Sequence, residues 1–219
     1  FRERGTPVLQ LKNIKKDYLS GDETVHALKG IDISFRENEF VSILGQSGCG
    51  KTTLTKCLAK LYNTSWSEEV GRYYARDFLG NDETIYTDVD FSRIAHIQYE
   101  QDYQALRTAN KVCFFDTDAT YTDYFSELYM GHSNELVEKY IDPDRYDLLI
   151  YLTPDVRWVP DGQRLNGDED RRRMLNDRLW DMYVAHGFKD KMVVVSGDYS
   201  QRLAHAIRLV DELLGGSQP

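Results

Sequence analysis

Gly45-Gln46-Ser47-Gly48-Cys49-Gly50-Lys51-Thr52 constrains this chain more than any other stretch. It follows the apolar run Glu39-Phe40-Val41-Ser42-Ile43-Leu44 and opens a helical segment from Thr53 to Leu61. That puts G-x-x-x-x-G-K-[ST] in the strand–loop–helix setting in which it cradles phosphates. The glycines let successive backbone N–H groups turn inward as an anion nest, and the following helix adds its positive end. Lys51 can reach the terminal phosphates, and the Thr52 hydroxyl can ligate Mg²⁺. The expected ATP cradle is therefore Gly45, Gln46, Ser47, Gly48, Cys49, Gly50, Lys51, Thr52 and Thr53. The competing reading, a glycine-rich turn with no ligand, is disfavoured by the strand before it and the helix after it.

Charge and cysteine usage narrow the function classes. A formal net charge of −9 argues against a nucleic-acid or anionic-membrane surface. With 219 residues, 41% hydrophobic and 29% charged, the chain has the make-up of a soluble globular domain with a substantial core. No apolar run approaches the roughly 18 residues of a membrane span, and no leader-type segment opens the sequence. Cys49, Cys57 and Cys113 are odd in number and lack C-x-x-C spacing, so a reducing, cytoplasmic setting is expected, with no cysteine metal site.

The pattern changes along the chain. Val8 to Lys12 and Val25 to Phe35 alternate as half-buried strands, with a turn at Gly21-Asp22-Glu23. From residue 38, strands alternate with helices, which argues for a parallel sheet. The expected fold is α/β: a phosphate-loop NTPase with a mainly parallel sheet flanked by helices, plus an N-terminal antiparallel β segment. Residues 1–36 would form that β segment and 37–214 the α/β domain. Helices are expected from Glu68 to Phe78 and from an Asp90 N-cap to about Asn110, where Gln98 and Asp102 interrupt the apolar face and point to a polar cavity. Further strands are expected at Lys111–Asp116, Tyr146–Leu152 and Met192–Ser196, and a final helix from about Ser200 to Leu214.

Open parallel sheets bind ligands beyond the carboxyl ends of their strands. Asp116, ending an apolar run, suits the metal-side carboxylate that a phosphate loop requires, with a helix N-cap as its alternative role. Asp118 reads equally as a substrate ligand or as a cap. Asp161 to Arg173 gathers arginines, among them Arg164 and Arg172, in a polar segment that reads as a mobile lid over the phosphoryl group or as a solvated loop. Trp66, Glu69 and Arg72 follow the first helix, where an acceptor would sit. Glu69 can orient or deprotonate a hydroxyl, and Trp66 can stack on a base or simply pack in the core. Gln98 is the further candidate on the substrate side.

Two resemblances cover the chain. Tyr62-Asn63-Thr64-Ser65, Glu69-Val70-Gly71-Arg72, Phe115-Asp116-Thr117-Asp118, Trp158 to Arg164 and Gly197-Asp198-Tyr199 lie within residues 58–214, which resemble the ribosylnicotinamide kinase domain of the NadR family. That resemblance implies ATP-dependent phosphorylation of the 5′-hydroxyl of nicotinamide riboside, with Arg164 and Arg172 in a lid. It departs at Val70 and Tyr73, where tyrosine and glutamate are expected. Leu9 to Tyr18, Val25 to Asp32 and Gly45 to Leu54 look instead like the start of an ABC-transporter ATPase of the lipoprotein- or macrolide-exporter type, in which the aromatic at Tyr18 stacks on adenine. No L-S-G-G-Q segment follows, so no functional transporter partner is expected. The chain reads as a splice of the two families, with Tyr18 competing with Tyr199 for the adenine and the N-terminal strands forming a flap on the sheet edge. The readings that follow are a nucleoside-type kinase, in which Lys51, Glu69 or Asp118, Arg164 and Arg172 act, with Thr52 and Asp116 on the metal. The alternatives are an engineered chimera that binds nucleotide without useful turnover, and an ABC-like ATPase fragment.

Overall fold

The computed structural model describes residues 9–20, 23–35, 39–155 and 169–215. β1 (Leu9–Ser20) and β2 (Glu23–Phe35) pair antiparallel, with Leu9 opposite Phe35 and Tyr18 opposite Val25. The turn at Gly21 and Asp22 lies outside the described residues. This pair was expected on the edge of the main sheet. As expected it is a two-stranded antiparallel sheet, and it is not hydrogen-bonded into the five-stranded one.

From β3 (Glu39–Gly45) the chain alternates strands and helices. In order come α1 (Lys51–Leu61), β4 (Trp66–Ser67), α2 (Val70–Phe78), α3 (Asp88–Thr108), β5 (Val112–Asp116), α4 (Ala119–Met130) and α5 (Glu135–Glu138). They are followed by β6 (Leu148–Leu152), α6 (Glu169–Ala185), β7 (Met192–Val195) and α7 (Tyr199–Leu213). The five strands make one all-parallel sheet in the order β4-β5-β3-β6-β7.

The central strands are apolar on both faces, as a sheet covered on both sides requires. Val41, Ile43, Val112, Phe114, Leu148, Ile150 and Leu152 point to one side and meet Leu54, Leu58 and Ala59 of α1 and Ala206 and Val210 of α7. Leu44, Cys113, Phe115, Leu149 and Tyr151 point to the other and meet Tyr121 and Tyr124 of α4 and Leu175, Leu179 and Tyr183 of α6. Each fully buried Val, Leu, Ile or Phe contributes about 1.5–3 kcal/mol, so this two-sided core holds the loops at the strand ends rigidly.

Two local expectations are corrected. α3 begins at Asp88 behind a Thr87 N-cap, and Asp90 stands at the third helical position, where Oδ2 accepts from the Thr87 N–H and hydroxyl. The polar interruption of α3 is a closed knot, not a cavity wall. Gln98 Nε2 donates to Ser67 Oγ (3.0 Å) and Asp102 Oδ1 (2.7 Å), while its Oε1 accepts from the Val70 N–H (3.0 Å). Arg145 reaches Asp102 Oδ2 at 3.2 Å and closes the cluster. With both amide ends engaged, Gln98 is a strut between α3, β4 and α2.

Candidate active site

β3 ends at Gly45, and the phosphate loop runs from there to Gly50, the left-handed N-cap of α1. Gly45 has φ +134°, and a Cβ there would lie 2.4 Å from the Leu152 carbonyl oxygen and 2.9 Å from Cys49 Sγ. No other residue fits. The loop closes on itself, with the Cys49 N–H donating to the Gln46 carbonyl (3.1 Å) and the Ser47 N–H to Gln46 Oε1 (3.0 Å). Gln46 Nε2 also donates to the Tyr124 hydroxyl, whose own proton goes to the Leu175 carbonyl of α6.

Arg202 anchors the loop from beneath. It is 2% exposed, and its guanidinium donates to the carbonyls of Cys49 (2.7 Å), Gly197 (2.7 Å) and Thr153 (2.8 Å) and to Asp155 Oδ1. One side chain thus ties the phosphate loop to the ends of β6 and β7. The clue in the sequence was a lone arginine on an otherwise apolar helical stripe, Arg202-Ala206-Val210, spaced four residues apart.

Asp116 ends β5 directly beside the loop. Thr52 Oγ1 donates to its Oδ2 at 2.5 Å, and its Oδ1 is buried with no hydrogen-bond partner among the described residues. Burial pushes the Asp116 carboxyl up to about 6, the nearby Glu69 carboxylate adds to the shift, and Lys51, Thr52 and Arg72 oppose it. Lys51 is fully buried. Burial alone would lower its ammonium, but Tyr121, Glu69 and Asp116 hold it above the usual lysine range. Its Nζ donates to the Tyr121 hydroxyl at 3.1 Å and sits 4.5 Å from the ring centroid. Glu69, just before α2, accepts from Arg72 Nη2 at 3.4 Å. Burial lowers the Arg72 guanidinium, but Glu69, Tyr121 and Asp116 more than offset that and leave it raised. Lys51, Asp116, Glu69, Arg72 and Tyr121 therefore share one electrostatic cluster at the carboxyl ends of β3, β4 and β5.

Thr117 turns the chain away from this cluster with φ +84°, a left-handed conformation that is strained for a β-branched residue. As a result Asp118 faces elsewhere. It is the N-cap of α4, buried, with Oδ1 accepting from the Tyr121 N–H (3.2 Å) and from the Tyr183 hydroxyl (2.8 Å) of α6. Burial pushes it up to about 6. Of the two roles open to Asp118 in the sequence, the structure favours the cap. Trp66, half-buried, packs on the core shared with α1 and lies under Lys56 Nζ, 5.0 Å from the ring centroid.

Arg172, near the start of α6, is buried. Its Nη2 donates to the Pro154 carbonyl (3.0 Å), and its Nε has no partner among the described residues. Arg164 and the side chain of Tyr18 lie outside the described residues. Tyr199, at the start of α7, lays its ring over Gly50, 2.8 Å from where a Cβ would stand. Beside it a pocket of about 170 Å³ is lined by Thr53, Cys57, Tyr199 and Leu203. Nothing in the local pattern marked Tyr121 or Tyr124, beyond their place in the first turns of the helix that follows Asp116.

Residues 40–202 match the AAA domain family. The chain belongs to that family. This AAA domain is 37% identical over 177 residues to the trifunctional NAD biosynthesis/regulator protein NadR of Salmonella typhimurium, covering 80% of the chain but only 42% of that protein. It is also 48% identical over 56 residues to the macrolide export ATP-binding/permease protein MacB of Shigella flexneri, covering 26% of the chain and 9% of that protein. Among solved structures, NadR in complex with NR superposes with a TM-score of 0.72 at 28% identity, covering 84% of this chain and 53% of that one. NadR in complex with NAD and AMP-PNP gives 0.68 at 27% identity, with 84% and 51% covered. The AAA domain thus spans about half the length of the NadR proteins it matches or less. Among the described residues no helix is long and apolar enough to cross a membrane.

Proposed function

We propose that the chain is an ATP-dependent kinase that phosphorylates nicotinamide riboside to the mononucleotide. The observation that supports this is Glu69 at the head of α2, held by Arg72 at 3.4 Å and near enough to Lys51 and Asp116 to shift both. A carboxylate stands in the same charge cluster as the loop lysine and Asp116, where an acceptor hydroxyl must lie for in-line transfer. Two solved NadR structures, one in complex with NR and the other with NAD and AMP-PNP, support this choice of substrates.

In this reading Gly45 to Thr53 cradle the phosphates, Lys51 reaches the transferring group, and Glu69 orients the riboside hydroxyl. Arg72, Arg172 and Arg164 neutralise charge. Tyr199, over Gly50 and beside the small pocket, covers the adenine. The Thr52 hydroxyl and Asp116 Oδ1, which has no partner among the described residues, are the hard oxygens that Mg²⁺ takes, and they would hold it. Bound there, the ion would neutralise phosphate charge. Transfer then rests on positioning and charge, as phosphoryl chemistry allows.

The short, strong likeness to MacB beside the long likeness to NadR favours a second element of the proposal. The chain joins two phosphate-loop lineages, residues 1–36 from an ABC-type ATPase and 37–214 forming the kinase domain. Incubation with Mg·ATP separates the readings. Riboside-dependent ADP release supports the kinase. ATP binding without turnover supports an inactive chimera, and hydrolysis indifferent to riboside supports an ABC-like ATPase.

A further inference from the structure

A phosphate-loop lysine works by giving its protons to phosphate oxygens. Here Lys51 is 3% exposed and already has an acceptor, the Tyr121 hydroxyl at 3.1 Å, with the phenol ring 4.5 Å from its ammonium. The Tyr121 ring is the fixed partner, and only its O–H is free to rotate. The ring is buried, clamped edge-on by Phe125 at 5.0 Å and stacked with Tyr124 at 6.4 Å. The lysine, on a flexible four-carbon stem, is the movable partner. Charged phosphate oxygens are stronger acceptors than a neutral phenol, so a bound triphosphate would take the ammonium away. The phenol so released lies within the field of Glu69 and Arg72, themselves paired at 3.4 Å, which the kinase reading assigns to the acceptor.

We propose that Tyr121 is a positioning residue that holds Lys51 in the nucleotide-free chain, yields it to the triphosphate, and then turns its freed hydroxyl to the acceptor. Nucleotide binding thereby prepares the acceptor site. The proposal rests on the kinase reading of this same cluster.

Tyr121→Phe keeps the ring and removes only the hydroxyl. Titrated with Mg·AMP-PNP, the variant binds roughly threefold to tenfold tighter than the parent, because its resting lysine has lost its partner. Its melting temperature falls without nucleotide and recovers towards the parent's when saturated. A packing role alone would lower both melting temperatures equally and leave the affinity unchanged, and that result overturns the proposal. A second measurement needs no variant. In protein carrying ¹³C-lysine, the Lys51 ε-methylene resonance is shifted upfield by the Tyr121 ring and moves downfield when AMP-PNP binds. A resonance that stays in place upon binding overturns the proposal as well. On the acceptor side, nicotinamide riboside binds the parent severalfold tighter with AMP-PNP than without, and Tyr121→Phe loses that coupling. Equal coupling in both proteins refutes it. A parent chain that binds no AMP-PNP at all sinks the kinase reading itself, whereas binding without these changes sinks the role of Tyr121 alone.

Discussion

Arg202→Met removes the buried fork that fastens the phosphate loop to two strand ends. Three carbonyls, those of Cys49, Thr153 and Gly197, lose a charged donor at 2.7–2.8 Å. A buried acceptor left without a partner costs about 1–3 kcal/mol. Asp155, whose side chain is 43% exposed, turns to water and adds little. Allowing for local relaxation, the loss is about 3–5 kcal/mol, a large share of the roughly 5–15 kcal/mol that holds a domain folded. Urea titration of the nucleotide-free protein reads it as a fall in midpoint with an unchanged slope. Arg202→Lys keeps the charge but reaches fewer of the acceptors, so it falls between the parent and Arg202→Met. Because the Cys49 carbonyl belongs to the loop, AMP-PNP affinity drops at least tenfold in Arg202→Met. A loss below about 1 kcal/mol, or a lysine variant equal to the parent, would show that the loop is held by something else.

Other outcomes follow from the same geometry. Gly45→Ala drives a Cβ to within 2.4 Å of the Leu152 carbonyl at φ +134°, so calorimetry with AMP-PNP should find binding abolished or the protein unfolded. On the proposed kinase reading, in which the carboxylate serves the acceptor and not the nucleotide, Glu69→Gln should reduce kcat by about 10²-fold while the KM for ATP stays within a few-fold. Asp102 gives a pH test of stability. Burial raises its carboxyl from 3.8 to about 6, so the folded state binds this proton more tightly than the unfolded one. That contribution grows as pH falls from about 6 towards 4 and is lost as pH rises through 6. The melting temperature of the parent, measured relative to Asp102→Asn, should therefore be higher at pH 4.5 than at pH 7.

Much of the fold was legible because its determinants are local. The glycine loop, the two-sided apolar runs at Val41–Leu44, Val112–Phe115 and Leu148–Leu152, and the alternation with helices require a parallel sheet with helices on both faces. Asp116 was legible for the same reason, as a carboxylate ending a buried strand. Contacts between distant segments were not. Asp116 and Asp118 look alike in sequence, and only the left-handed turn at Thr117 sends one to the phosphate loop and the other to Tyr183. Gln98 looked like a ligand because a polar residue broke an apolar face, but its partners Ser67 and Val70 lie about thirty residues upstream. Arg202 and Tyr121 act on residues 153 and 70 positions away, separations that no local pattern encodes.

In the proposed reaction the loop presents the γ-phosphoryl group of ATP to a riboside hydroxyl beside Glu69. Supplying ATP with an isotopic label in the γ-phosphoryl, together with nicotinamide riboside, and following the label by mass spectrometry tests this most directly. A riboside kinase leaves the label in the 5′-phosphate of the mononucleotide, in step with ADP formation, and Lys51→Ala transfers none. Label recovered only as inorganic phosphate, at a rate indifferent to riboside, would contradict it.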